Sequence, residues 1–346
     1  MEEELGVPTR GSVAVAGPYF EDFEHGQVFA DAPALTLTDG HAAVHQALTG
    51  DRLRLPLDAE LSRAVTGAER PLAHPNLVCD VAIGQSTGPT QRVLGNLFYR
   101  GLILLTPVHI GDTLRTRTEV VALKQNSRRL EPPATGLVAL RITTRDQRDE
   151  PVLDFWRCPM IPLRDAAAET GHADRFDEIP AELELSRVLD AAPSQWDFSP
   201  LRAAAPGERF ADLEPGMTFE VEGRDTVTAA PELARLTLNV AKAHTDAAGS
   251  VHGRRLVYGG HTISIAAAQL SRALPGVATI VAWRGCDHLG PVFEGDVLST
   301  DIEVEGTHEL DGAEAGLVDL RMRVAADRGE GEAAPVLDWR AVAVIC

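Results

Sequence analysis

The sequence predicts an α+β protein built twice over in one chain: two antiparallel sheets, each wrapped around a central apolar helix. Three observations carry this. The chain repeats itself at a nearly constant offset, each copy holds a helical stretch too apolar for a surface position (76–86 and 260–274), and long strand patterns follow each stretch. With 346 residues, 44% of them apolar, there is enough chain to fill two cores.

The repeat is direct. YFEDFEHGQVF at 19–29 matches RFADLEPGMTF at 209–219, an offset of 190 from Gly26 to Gly216. PVHIGDTL at 107–114 matches PVFEGDVL at 291–298, and PVLDF at 151–155 matches PVLDW at 335–339, both at an offset of 184. Each copy runs through a lead segment, a helix-prone stretch (39–48; 229–243) and the apolar helix. The later strands then fall at 113–123, 136–144 and 152–161 in the first copy, and at 296–304, 317–324 and 336–345 in the second. The expected organisation is a flexible N-terminus (1–17), an N-terminal unit (18–163), a linker (164–206) with a turn or two of helix around 181–189, and a C-terminal unit (207–346).

Charge narrows the partners. The formal net charge is -19, and Lys124 and Lys242 are the only lysines, so no basic stripe is there to neutralise phosphates and nucleic acid is disfavoured. No apolar run approaches the roughly 18 residues a membrane span needs, and the N-terminus lacks a basic segment followed by an apolar block, so a cytoplasmic protein with no membrane association is the expectation. Cys79, Cys158, Cys286 and Cys346 are widely spaced and read as buried thiols, not as zinc ligands or a disulfide frame.

The chemistry concentrates in RRLVYGGHTISIAAAQLSRAL, 254–274. A short extended segment (Leu256, Val257) breaks at Gly259-Gly260 and passes into the second apolar helix. The first N–H groups of a helix lack internal partners and carry partial positive charge, so Gly259, Gly260 and the N–H of His261 are candidates to hold a carbonyl that gains negative charge. Upstream, NVAKAH places Asn239 and His244 five positions apart.

With these residues in hand, the chain resembles the MaoC-like, (R)-specific enoyl-CoA hydratases, in the double hot dog form where two units are fused. Their signature is an Asp, four residues and a His, just upstream of a glycine turn into the central helix. Asn239, four residues, His244 and then Tyr258-Gly259-Gly260-His261 match its spacing, with Asn in place of Asp. In the first copy Asp51 is followed at that spacing by Pro56, which implies that this half keeps the fold and has lost the base. A narrower resemblance, to the mesaconyl-CoA hydratases or β-methylmalyl-CoA dehydratases, rests on YFEDFEHGQ, LTGDR, LGNLFYRG, VVALKQN and GRRLVYGGHTIS.

The resemblance implies reversible hydration of an enoyl-CoA thioester, with mesaconyl-CoA first among C5 branched dicarboxylic acyl groups and no cofactor beyond the CoA of the substrate. His244 would be the acid and base, since imidazole titrates near neutrality, and Asn239 would orient the water. Ser264, one turn into the helix, is a further candidate for the same water or carbonyl. Arg254 and Arg255 are candidates for a CoA phosphate or an acyl carboxylate, Tyr258 at the turn and Gly259 are further substrate-binding candidates, and Arg284 and His288 are weaker candidates, for the acyl carboxylate or for supporting the site from behind. His74, at the position of Tyr258 in the first copy, reads as a core histidine. A hydratase for straight-chain thioesters and a non-catalytic acyl-CoA binder remain open beside this reading. So does association of sheet edges into a homo-oligomer.

Overall fold

The computed structural model of the chain describes residues 15–127, 133–310, 314–329 and 331–346. The expected flexible N-terminus therefore falls almost wholly outside the described residues. In chain order the strands are β1 (Val28–Phe29), β2 (Leu35–Thr36), β3 (Gly95–Leu104), β4 (Thr113–Gln125), β5 (Thr135–Arg145) and β6 (Pro151–Pro162), then β7 (Thr218–Glu220), β8 (Asp225–Thr226), β9 (Val277–His288), β10 (Val297–Glu309), β11 (Gly316–Asp327) and β12 (Ala334–Ile345). The helices are α1 (Asp39–Thr49), α2 (Arg54–Leu57), α3 (Ala59–Thr66), α4 (Pro75–Gln85), α5 (Leu185–Ala191), α6 (Ser199–Ala204), α7 (Ala230–Leu236), α8 (Lys242–Thr245) and α9 (Gly259–Ala273).

Both expected sheets are present, and they join. The order β1-β4-β5-β6-β3-β9-β12-β11-β10-β7 is one antiparallel sheet whose two halves meet at β3 and β9, with Tyr99 opposite Cys286 and Leu102 opposite Trp283. Strand reading from the repeat alone reaches the outer strands and passes over these two joining ones. Their burial is nearly continuous, so the polar alternation that marks a strand is missing. An edge that a single unit would leave open is closed inside one chain.

Each half curls around its apolar helix. Every residue of α4 is buried, as is α9 from Gly260 to Ser271, because the helices face the sheet on one side and each other on the opposite side. Each is pinned by a glutamine: Gln85 Nε2 donates to Leu114 O, and Gln269 Nε2 to Leu298 O, both at 3.0 Å. The duplicated lead segments close the sheet ends with an aromatic ring laid on a glycine. A Cβ on Gly136 would lie 2.3 Å from the Phe20 ring, and one on Gly316 would lie 2.1 Å from the Phe210 ring.

The linker is packed, not loose. α5 and α6 with Phe198 form a second apolar cluster against β9 and β12. Trp196 and Pro193 line a small cavity with Leu72, Pro75 and Leu104 of the first half.

Phe20 is fully buried at the sheet end, so Phe20→Ala should cost about 3–5 kcal/mol, the usual range for a buried aromatic. Denaturant unfolding with both proteins measures it, and a loss below about 1 kcal/mol would mean that the lead segment does not close the core.

Candidate active site

The helix-prone stretch 229–243 is broken in the middle, and the break builds the site. α7 ends at Leu236, Thr237 Oγ1 bonds back to Leu233 O at 2.8 Å, and Leu238 takes a left-handed conformation with φ 61°. That conformation typically costs a branched residue about 1–3 kcal/mol and persists only where the surroundings enforce it. Asn239 Oδ1 then accepts the Ala241 N–H at 3.0 Å, and the chain re-enters one turn of helix carrying His244. Side-chain bonds to nearby backbone are what turn helix propensity into a kink here.

The enforcing surface is the first half. A Cβ on Gly84 of α4 would lie 1.7 Å from Thr237 O and 3.2 Å from Asn239 N, so only glycine admits this turn. Val240 N donates to Thr87 Oγ1 at 3.0 Å, and Lys242 N to Gln91 O at 3.0 Å. The segment bearing Asn239 and His244 is thus docked along residues 84–91 of the other copy.

His244 and Asn239 open onto a cavity of about 230 Å³, which Tyr258, Gly259, Thr262 and His288 line from the second half. The first half supplies Thr87, Asn96, Tyr99 and Arg157 to the same cavity. Sequence reasoning assigned no role to these four. The signal within reach was LGNLFYRG, which contains Asn96 and Tyr99; Arg157 sits in a buried strand pattern with nothing beside it to mark it.

His244 Nδ1 lies 2.9 Å from Leu256 O. A carbonyl only accepts, so Nδ1 carries the proton and Nε2 is left as a bare acceptor, the tautomer a general base needs. Burial lowers the His244 pKa, opposed in part by the Leu256 carbonyl. Asn239 has committed Oδ1 to Ala241, so its remaining donor group is Nδ2.

The glycine pair is a double notch. A Cβ on Gly259 would lie 2.5 Å from His288 Nε2, and one on Gly260 would lie 2.0 Å from Asp80 Oδ1 and 2.5 Å from the Tyr258 ring. Gly259 lines the cavity, whereas Gly260 lies one residue deeper, against Asp80. The His261 N–H is spent on Tyr258 O at 2.9 Å, which leaves Gly259 as the helix-start amide on the cavity wall. His261 is fully buried beside Asp80 and His45 of the first half, away from the cavity. Ser264 Oγ donates to Asp80 Oδ2 at 3.3 Å, a contact between the two central helices.

Of the expected cationic residues, none of the arginines reaches the cavity. Arg255 pairs with Glu294, Arg254 stacks 4.3 Å over the Phe293 ring, and Arg284 is held by Asp319 and Leu183 O. His288 does line it, but burial and the neighbouring His244 push its pKa down to about 4, so it stays neutral and is no partner for a carboxylate. His74 is a core residue: Nδ1 accepts the Asn76 N–H at 3.1 Å, and Nε2 lies 3.0 Å from Asp51 Oδ2.

The site thus offers an imidazole with Nε2 left as an acceptor, an amide donor, a helix-start residue and a buried guanidinium. The fold is the double hot dog: a Mycobacterium tuberculosis protein described as having a double hotdog fold, and as essential for bacterial survival during infection, superposes with a TM-score of 0.88 at 46% identity over 96% of this chain and 99% of its own. The family model for mesaconyl-CoA hydratase matches residues 7–279, and this chain belongs to that family. It is 32% identical to the mesaconyl-CoA hydratase of Cereibacter sphaeroides over 90% of this chain and 89% of the relative. It is 29% identical to the beta-methylmalyl-CoA dehydratase of Chloroflexus aurantiacus over the same shares. Among the described residues, no helix is long and apolar enough to cross a membrane, and no cluster of His, Cys, Asp and Glu could hold a metal ion.

A base with a lowered pKa stays deprotonated below the ordinary imidazole value of 6.5. The rate of hydration, followed as kcat/KM, should therefore hold flat as pH falls through 6.5 and drop only at more acid pH, the acid limb disappearing in His244→Ala. A limb at or above 6.5 would contradict the assigned environment.

Proposed function

We propose that this chain catalyses the reversible hydration of mesaconyl-CoA to β-methylmalyl-CoA, at the cavity between its two halves. The observation that carries the mechanism is the His244 tautomer: Leu256 O holds the proton on Nδ1, and Nε2 is free to take one from water. The names of the relatives support the substrate.

In the forward direction a water sits between His244 Nε2 and the Asn239 Nδ2 donor. His244 removes a proton as the water oxygen bonds to the β-carbon, and the π electrons move onto the thioester oxygen. The Gly259 N–H, reinforced by the start of α9, stabilises that enolate oxygen; loss of one such donor typically costs roughly 3 kcal/mol. Imidazolium then returns the proton to the α-carbon, and dehydration is the same path reversed. Thr262 and Tyr258 line the same wall, with the Tyr258 ring centroid 5.6 Å from that of His244. Burial and the Asp80 charge hold the Tyr258 phenol well above its ordinary pKa, so it stays neutral through the cycle.

The test is the absorbance of the conjugated enoyl thioester on mixing the protein with mesaconyl-CoA and, separately, with crotonyl-CoA. Mesaconyl-CoA should be consumed to an equilibrium mixture, and His244→Ala should lower the rate by about 10²–10⁴, the usual contribution of a positioned acid/base group. Binding of mesaconyl-CoA without any loss of conjugation would replace this reading with that of a thioester-binding protein.

A further inference from the structure

Among the described residues that line the cavity, Arg157 is the one permanently charged side chain, and the acid/base chemistry gives it no role. It lies on β6 of the first half, is 3% exposed, and lines the cavity that holds His244. Nη2 donates to Ser86 O at 2.7 Å and Thr90 Oγ1 at 2.8 Å. A guanidinium has five donors, and these two are the only ones used among the described residues; Nε is buried with no partner. Among the described residues no carboxylate pairs with Arg157, whose ionisable neighbours are Tyr99, Tyr258 and Cys158. Burying a cation without an anion is strongly unfavourable, and evolved interiors pair such charges. Arg284, largely buried on β9, meets that rule through Asp319.

We infer that Arg157 binds the free carboxylate of the acyl group, so that the first half sets the specificity of a site whose acid/base residues come from the second. This rests on the hydratase reading above. In mesaconyl-CoA the second carboxylate is bonded to the β-carbon, the carbon that water attacks. Its negative charge opposes the approach of an electron-rich oxygen, and a guanidinium on the carboxylate withdraws that charge. The same cation therefore selects the substrate and eases the step. Clamping Ser86 O at the end of α4 does not account for the residue, since Nη2 alone performs it. The clamp does fix the guanidinium without engaging Nη1, whose two N–H groups are left for a ligand with little further loss of side-chain freedom. A straight-chain acyl group would leave this charge buried and unpaired in the complex, which is a penalty against that substrate.

The experiment compares kcat/KM for three thioesters: mesaconyl-CoA, its analogue with the distal carboxylate as a methyl ester, and crotonyl-CoA. The parent should prefer mesaconyl-CoA over the ester by about 10²-fold or more, the scale of a buried charge pair broken on one side. In Arg157→Met that ratio should collapse toward one, and in Arg157→Lys it should recover in part. A ratio cancels any general loss of activity from disturbing α4, and if Arg157→Met does not fold, Arg157→Lys decides by the same ratio. A parent that hydrates acid and ester equally well, or a preference that persists in the Arg157 variants, would overturn the inference and leave the hydratase reading standing. A parent that hydrates none of the three would overturn both.

Discussion

The whole arrangement hangs on one close approach, that of Gly84 on the first central helix to the backbone of Thr237 and Asn239 on either side of Leu238. There is no room between them for a methyl group. This contact holds Leu238 in its left-handed state, the kink in turn aims Asn239 and His244 into the cavity, and the bonds from Val240 and Lys242 to Thr87 and Gln91 lock the segment along the neighbouring unit. Strain placed at a functional turn is maintained by packing from elsewhere. Here the packing comes from the half that carries Pro56 where the other carries His244.

Duplication followed by divergence is written in matched residues. Leu48-Thr49-Gly50-Asp51 corresponds to Leu236-Thr237-Leu238-Asn239, with φ 69° at Gly50 and 61° at Leu238. Thr49 bonds back to His45 O as Thr237 does to Leu233 O, and Asp51 Oδ1 accepts from Leu53 N as Asn239 Oδ1 does from Ala241 N. The two copies then part. Pro56 stands where His244 stands, Asp51 is tied to His74, and the matching cavity shrinks to about 30 Å³ with Trp196 of the linker in its wall. Asp80 and Ser264 occupy matching places on the two central helices and touch each other, so the polar pair that binds the helices is itself a product of the repeat.

Much of this was legible in the chain. The repeat marks the two units, the apolar stretches mark both central helices to within a residue at each end, and Tyr258 to His261 marks the turn. His244, Asn239, Gly259 and His288 do meet at one cavity. What the chain does not display is contact between residues far apart in sequence. Gly84 looks like any small residue in an apolar helix, and Arg157 like an interruption in a strand; what the fold adds is that Thr237 O lies beside the one and the cavity lined by His244 beside the other. Arg254 and Arg255, which sequence proximity favours, and Arg284, which the repeat places on a strand facing the helix, are each engaged elsewhere, on Phe293, Glu294 and Asp319. Closeness along the chain to a glycine turn does not decide which way a long side chain reaches.

The first half shapes the cavity through the Asn239 turn. A double-mutant cycle on mesaconyl-CoA hydration, with Gly84→Ala, Asn239→Ala and the pair together, measures it directly. If Gly84 acts through Asn239, its substitution lowers kcat strongly in the parent and by less than about threefold once Asn239 is gone. If the two losses multiply, Gly84 acts on the site by some other route, and the central contact has been given the wrong role.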